Sequence, residues 1–165
     1  MTPLPGALGG RDLIAWRLDR EVYAKSWDSG EGAYRAGGRW NSKGVRAVYC
    51  ALDPATAILE VAVHLGFDVL DSGAYRLTCL AIADPSRVRV IQPDDIPNPN
   101  WLVPAPHSGG QRRFGDDLIK AHDFVVLPSV VSRHSWNLIF LGGSADKDYS
   151  LVSQERFALD TRLNP

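Results

Sequence analysis

The sequence predicts one domain of the α/β (α+β) class, and three observations carry that prediction. The 165 residues are 45% hydrophobic, enough to fill a single core over 1–165 without help from disulfides or metals. Short runs rich in β-branched and aromatic residues recur between breaks of Gly, Pro, Ser and Asn, as strands do. One segment, by contrast, carries helix punctuation at both ends: Asp53-Pro54 before it and Gly66 after it.

Taken in order, DLIAWRL (12–18) is an apolar run that contains Arg17 and reads as the first strand. Residues 27–44 are rich in Gly, Ser and Asn and read as a loop, and VRAVYCA (45–51) follows as a strand. Asp53 is an N-cap, Pro54 an N1 residue and Gly66 a terminator, so a helix spans about 55–65. Its expected core stripe is Ala55, Ile58, Leu59 and Ala62. Ala57 and Val61 share the other side with Glu60 and His64, which predicts cover over most of its surface. AYRLTCLAIAD (74–84) and VRVI (88–91) read as core strands. Five prolines and the Gly109-Gly110 pair make 92–113 a long ordered loop or lid, and GDDLIKAH then adds one or two helical turns. Strands at 124–131, 136–141 and 156–160 complete the chain, which has no repeats and no low-complexity segment.

Charge and targeting signals narrow the function classes. With 18 basic and 19 acidic residues the formal net charge is -1, so no global field favours direct binding to nucleic acid or to an anionic membrane. The N-terminal text lacks a basic stretch leading into an apolar run, and nothing approaches the roughly 20 apolar residues of a membrane span; a cytoplasmic location is expected. Cys50 and Cys79 lie in separate strands without CxxC spacing and read as reduced core thiols.

Candidate site residues come from GGRWNSKGVRAVYC (37–50) and from later segments of the chain. Gly37-Gly38 permit unusual dihedrals and close approach of a ligand, and Arg39 brings a planar fork suited to phosphate or carboxylate; the other reading is a surface arginine after a flexible turn. Tyr49, late in a strand, and Glu60, on the next helix, can face one cleft, where an aromatic ring stacks on a flat group and a carboxylate stabilises a cationic transition state. Equally, Tyr49 is a core aromatic and Glu60 part of a solvent face. Ser129, polar within LPSVV, needs a partner if buried, either backbone or ligand. His64, His107, His122 and His134 have no metal-ligand spacing, and no nucleophile elbow, Walker loop or GxGxxG follows a strand, so no metal is expected. The tryptophans at 16, 27, 40, 101 and 136 fall mostly at element junctions, where packing accounts for them better than sugar stacking.

Together these pieces resemble the RES domain family of toxins from bacterial toxin-antitoxin pairs. The resemblance lies in WR (16–17), GEGAYRAGGRWNSKG (30–44), VYCALDPATAILEVAVHL (48–65), LPSVV (127–131) and the closing FALDTRL. The family's arginine, glutamate and serine fall on Arg39, Glu60 and Ser129, its tyrosine on Tyr49 and its N-terminal arginine on Arg17. The resemblance implies a compact fold with a split β core, similar to the ADP-ribosyltransferase toxins, around a cleft for NAD as substrate. Arg39 and Arg17 would neutralise the pyrophosphate, Tyr49 would pack on the nicotinamide or its ribose, and Ser129 would hydrogen-bond the nucleotide. Glu60 would stabilise the oxocarbenium-like state formed as neutral nicotinamide leaves. The ADP-ribose would pass to a protein acceptor, phosphate or water. A cognate antitoxin with an Xre-like DNA-binding part is the implied partner. One departure stands out, since Asn137 is not followed by the family's usual Pro and His. The alternatives are a nonenzymatic nucleotide- or polyphosphate-binding module and a carbohydrate binder, because a fold alone does not establish an activity.

Overall fold

A computed structural model describes residues 13–104, 107–144 and 148–164. The expected start of the first strand at residue 12 and the N-terminal text before it lie outside them. Among the described residues seven strands form one mixed sheet: β1 (Leu13–Arg20), β2 (Ala47–Ala51), β3 (Tyr75–Ile82), β4 (Val88–Val90), β5 (Phe124–Pro128), β6 (Trp136–Leu141) and β7 (Tyr149–Phe157), in the order β4-β5-β6-β2-β1-β3-β7. All neighbours are antiparallel except β4 and β5.

The expected split in the β core is a seam within this sheet. Strand β1 pairs with β3 along its whole length, from Leu13↔Ile82 to Arg20↔Tyr75, yet meets β2 only at Trp16↔Ala51. That single pair joins the halves β4-β5-β6-β2 and β1-β3-β7.

Alternation along the strands sends side chains to two faces. Val48, Cys50, Leu80, Phe124, Val126, Leu138 and Phe140 fill one face with Trp27. On the other, Ala47, Val125, Leu127 and Ile139 pack under Trp40, Trp101 and Ile119, while Leu18 and Leu77 pack under Ala62 and Leu70. Burying each large side chain contributes roughly 1.5–3 kcal/mol. Cys50 and Cys79 are free and buried, and burial pushes the Cys50 thiol up to about 12. Four of the five tryptophans, Trp27, Trp40, Trp101 and Trp136, are buried in these cores.

Four α-helices lie among the described elements: α1 (Glu31–Ala36), α2 (Pro54–Leu65), α3 (Phe67–Ser72) and α4 (Gly109–Ala121). Helix α2 begins as its sequence demands, with Asp53 accepting from the Thr56 N–H at 2.8 Å and Pro54 in the first turn. Its buried positions are Thr56, Ala57 and Ala62, whereas Ala55 is exposed, so the inward stripe is rotated from the expected one. Val63 and Leu65 are exposed as well, so the helix is covered on one side only. The reason is its seat across the seam: Ile58, Val61 and Ala62 meet β1 and α3, which turns Glu60 toward β5 and β6.

Elsewhere tertiary contacts override local composition. The expected loop 27–44 contains α1, entered through Gly30 at φ 65° and left through Gly37 at φ 72°; Glu31 pins it by pairing with Arg35 at 2.7 Å and with Arg46. A 3-10 turn, Glu21–Ser26, and α3 also form where no element was expected. Gly109-Gly110 open α4 rather than extend the loop, because Ser108 caps the helix by accepting from the Gln111 N–H at 3.1 Å. The rest of the 92–104 segment is anchored at Ile96 and Trp101, both buried. Strand β4 is a short edge strand, and the last strand lies at 149–157, earlier than the expected 156–160.

Candidate functional site

The arginine loop is built from behind. Asn41, fully buried, donates through Nδ2 to the carbonyls of Ala33, Ser42 and Val45 at 3.0–3.1 Å, tying α1 to the start of β2. Its Oδ1 accepts from the Tyr49 hydroxyl at 2.7 Å, and that hydroxyl accepts the Trp40 N–H at 3.1 Å. From the far side α4 presses on the loop: a Cβ on Gly115 would lie 2.0 Å from the Trp40 carbonyl oxygen, and Asp116 accepts from the Ser42 N–H at 2.9 Å.

This arrangement gives a different reason for the glycine pair. A Cβ on Gly38 would stand 2.7 Å from both the Tyr49 hydroxyl and Asn41 Oδ1. Close approach at Gly38 is thus to the protein's own tyrosine, while Gly37 supplies the positive φ that ends α1.

Arg39, half-buried at the tip of the loop, donates through one terminal nitrogen to the carbonyls of Trp101 at 2.5 Å and Val103 at 3.2 Å. Its Nε and second terminal nitrogen have no hydrogen-bond acceptor among the described residues. Burial lowers its pKa, while the Glu60 charge and the Tyr49 phenol act in the opposite sense, so the three groups lie within electrostatic reach of one another. Burial pushes the Tyr49 phenol well above its ordinary value, which leaves it neutral. Its ring is half-buried and its oxygen already bonded, so it offers a surface rather than a base.

Glu60 reaches across the sheet from α2. Its Oε1 accepts from Ser129 Oγ at 2.9 Å and from Asn137 Nδ2 at 2.6 Å. Ser129, fully buried just after β5, also accepts from the Ser132 N–H at 3.3 Å. The serine therefore has a partner that neither sequence reading named: the glutamate. Asn137 has no role in the sequence reading, yet a polar residue inside WNLIFL is the same signal that singles out Ser129.

Arg17 stands apart from this group. Along β1, Arg17 and Asp19 alternate with Trp16 and Leu18, which face α2 and α3, so the pair lies toward Cys50. Its fork meets Asp19 at 2.5 and 2.8 Å, and its remaining nitrogen donates across the seam to the Tyr49 carbonyl at 2.7 Å. Burial raises the Asp19 pKa, with the Arg17 guanidinium pulling the other way. Arg17 thus braces the strand that carries Tyr49.

The RES domain family model matches residues 14–160, nearly the whole chain. The chain belongs to the RES domain family. A protein named Toxin Res from Photorhabdus laumondii is 31% identical over 154 residues, covering 92% of this chain and 97% of its own. A Prs ADP-ribosylating toxin from a Sphingobium species is 37% identical over 130 residues, covering 75% and 79%. A similar fold occurs in a chain of the crystal structure of the M. tuberculosis MbcT-MbcA toxin-antitoxin complex, with TM-score 0.64 and 19% identity over 89% of this chain and 85% of that one.

Proposed function

We propose that this RES domain is the toxin of a toxin-antitoxin pair, that it consumes NAD, and that Glu60 works at the nicotinamide–ribose bond. The observation that carries the reading is a carboxylate fixed through one oxygen by Ser129 and Asn137, within electrostatic reach of a partly free guanidinium and on the same side of the sheet as a neutral aromatic ring. The names of the curated relatives support the toxin and the ADP-ribosyl chemistry.

In this reading Arg39 binds the diphosphate with its two free donors, because a guanidinium fork matches paired anionic oxygens. The Tyr49 ring packs against the nicotinamide ribose, and Arg17, held by Asp19, steadies the strand behind it. As the C1′–N bond breaks, nicotinamide leaves with the bonding electron pair, neutral, so no general acid is needed. Positive charge spreads over C1′ and the ring oxygen, and the Glu60 carboxylate stabilises it. A nucleophile then adds at C1′ and loses its proton. The Sphingobium relative's name favours a protein side chain as that nucleophile, with phosphate and water as the competing acceptors. The restraining partner is an antitoxin with an Xre-like DNA-binding part, and the compartment is the cytoplasm. No helix among the described residues is long and apolar enough to cross a membrane.

Incubating the antitoxin-free protein with NAD labelled in its adenylate half, with and without cell lysate, tests the reading. Label on a protein band is the expected result; free ADP-ribose or its 1″-phosphate instead assigns the acceptor to water or phosphate. Intact NAD in both arms overturns the reading in favour of a nonenzymatic nucleotide-binding module.

A further inference from the structure

Two donors, from the end of β5 and from within β6, converge on a single oxygen of Glu60. Among the described residues nothing bonds Oε2. The orientation of the Asn137 amide follows from chemistry, since an ionised carboxylate only accepts and the group facing it must be Nδ2. Asn137 is 8% exposed, and among the described residues its Oδ1 has no hydrogen-bond partner. A buried acceptor without a donor costs stability, so packing alone would favour an aliphatic residue here, like its neighbours Leu138 and Ile139.

A glutamate side chain ends in a broad, soft torsion. One hydrogen bond leaves the carboxylate free to pivot, whereas a second donor on the same oxygen defines where the other oxygen goes. Strand β6 is flanked by β5 and β2, so Asn137 is mounted on a rigid part of the sheet. We propose that Asn137 is a positioning residue for the reaction described above, on which this inference rests: with Ser129 it holds Oε1 so that Oε2 meets the ribose. The residue acts through Glu60 and retains an orphaned acceptor at the expense of the fold.

Kinetics and melting temperature, measured together for Asn137→Leu and Asn137→Asp, separate this role from a structural one. Leucine removes both the donor and the orphan while keeping the same branched heavy-atom outline, so kcat should fall about 10–100-fold while KM changes by less than about threefold. Its Tm should equal or exceed that of wild type, whereas a merely structural residue would lose Tm and activity together. Asn137→Asp keeps shape and acceptor but lacks the donor, and should lose at least as much kcat; it carries the test should the leucine variant fail to fold. Wild-type kcat in either variant, or a loss confined to KM, overturns the role while leaving the NAD reaction standing. Intact NAD with the wild-type protein overturns both.

Discussion

The two ends of the cleft are anchored in parallel ways by unlike materials. Glu60 is held at one oxygen and open at the other, and Arg39 is held at one nitrogen and open at two. The grip on Glu60 comes from Asn137, laddered on both sides to Leu127 and Ala51, and from Ser129, one residue beyond β5, whose N–H bonds the Ser135 carbonyl at 3.0 Å. The grip on Arg39 comes from carbonyls of an irregular segment, of which Trp101 is buried and Val103 is 57% exposed. A ladder-mounted donor cannot follow a moving ligand, whereas a carbonyl near an exposed residue can yield. The carboxylate end is therefore suited to stabilising a brief charge at a fixed point, and the guanidinium end to accepting a flexible diphosphate.

Removing Glu60 should give the largest effect and the sharpest contrast. Glu60→Gln keeps the shape but lacks the charge, and kcat should fall by about 10²–10³ or more while NAD affinity stays near that of wild type. Turnover and equilibrium binding on the same preparation check this, and an unchanged kcat breaks the comparison at its catalytic end. Arg39→Ala should show the reverse emphasis. Each charge-assisted hydrogen bond contributes about 1.5–3 kcal/mol, so losing Arg39 should weaken NAD binding by about 10–100-fold, with the larger change in KM. It should also speed amide exchange in 101–104, where the arginine now bonds two carbonyls. An effect on kcat alone would mean that the two ends do not divide binding and chemistry.

Gly38→Ala probes the frame behind the guanidinium end. The added Cβ would press on the Tyr49 hydroxyl and Asn41 Oδ1 from 2.7 Å, displacing the bond between them. Overpacking of this kind costs about 1–3 kcal/mol, read as a lowered urea midpoint, and NAD binding should weaken more than turnover slows. An alanine variant of wild-type stability would show that the loop yields easily and that the frame is not rigid.

Much of this was legible in the sequence where one residue type does one physical job. Asp53-Pro54 and Gly66 delimit α2 because caps and terminators act locally. The β-branched runs placed the first six strands near their true positions, though not β7, and Arg39, Tyr49, Glu60 and Ser129 do gather on one side of the sheet. What stayed hidden depends on contacts distant in the chain. Helix α1 is held by Arg46 and Asn41, and its composition alone does not require it. The start of α4 follows from a capping serine beside two glycines that otherwise read as loop. Asn41 and Asn137 are single amides whose importance is set by what they meet 8 and 77 residues away. Arg17 matched a motif, but Asp19, two residues on, decides what its fork holds in this structure.

The smallest expected effect concerns pH at the guanidinium end. Burial, then the charges of Arg39, Arg112 and His64, hold the His107 pKa below its ordinary value. The unfolded chain therefore takes up this proton first as pH falls, and more protons bound by the unfolded state mean stability that decreases with falling pH. The contribution is complete above about pH 6.5, the ordinary histidine pKa, and is lost progressively below it. Thermal unfolding between pH 7.5 and about pH 5.5 should thus show a steeper acid loss in wild type than in His107→Gln, which has no proton to gain. Equal slopes would place His107 outside the field of Arg39. A bound diphosphate offsets that field, so saturating NAD with the slow Glu60→Gln variant, or adding ADP to wild type, should shrink the difference between the slopes. If neither nucleotide changes it, the anion does not lie beside Arg39, and the binding end of the cleft has to be sought elsewhere on the sheet.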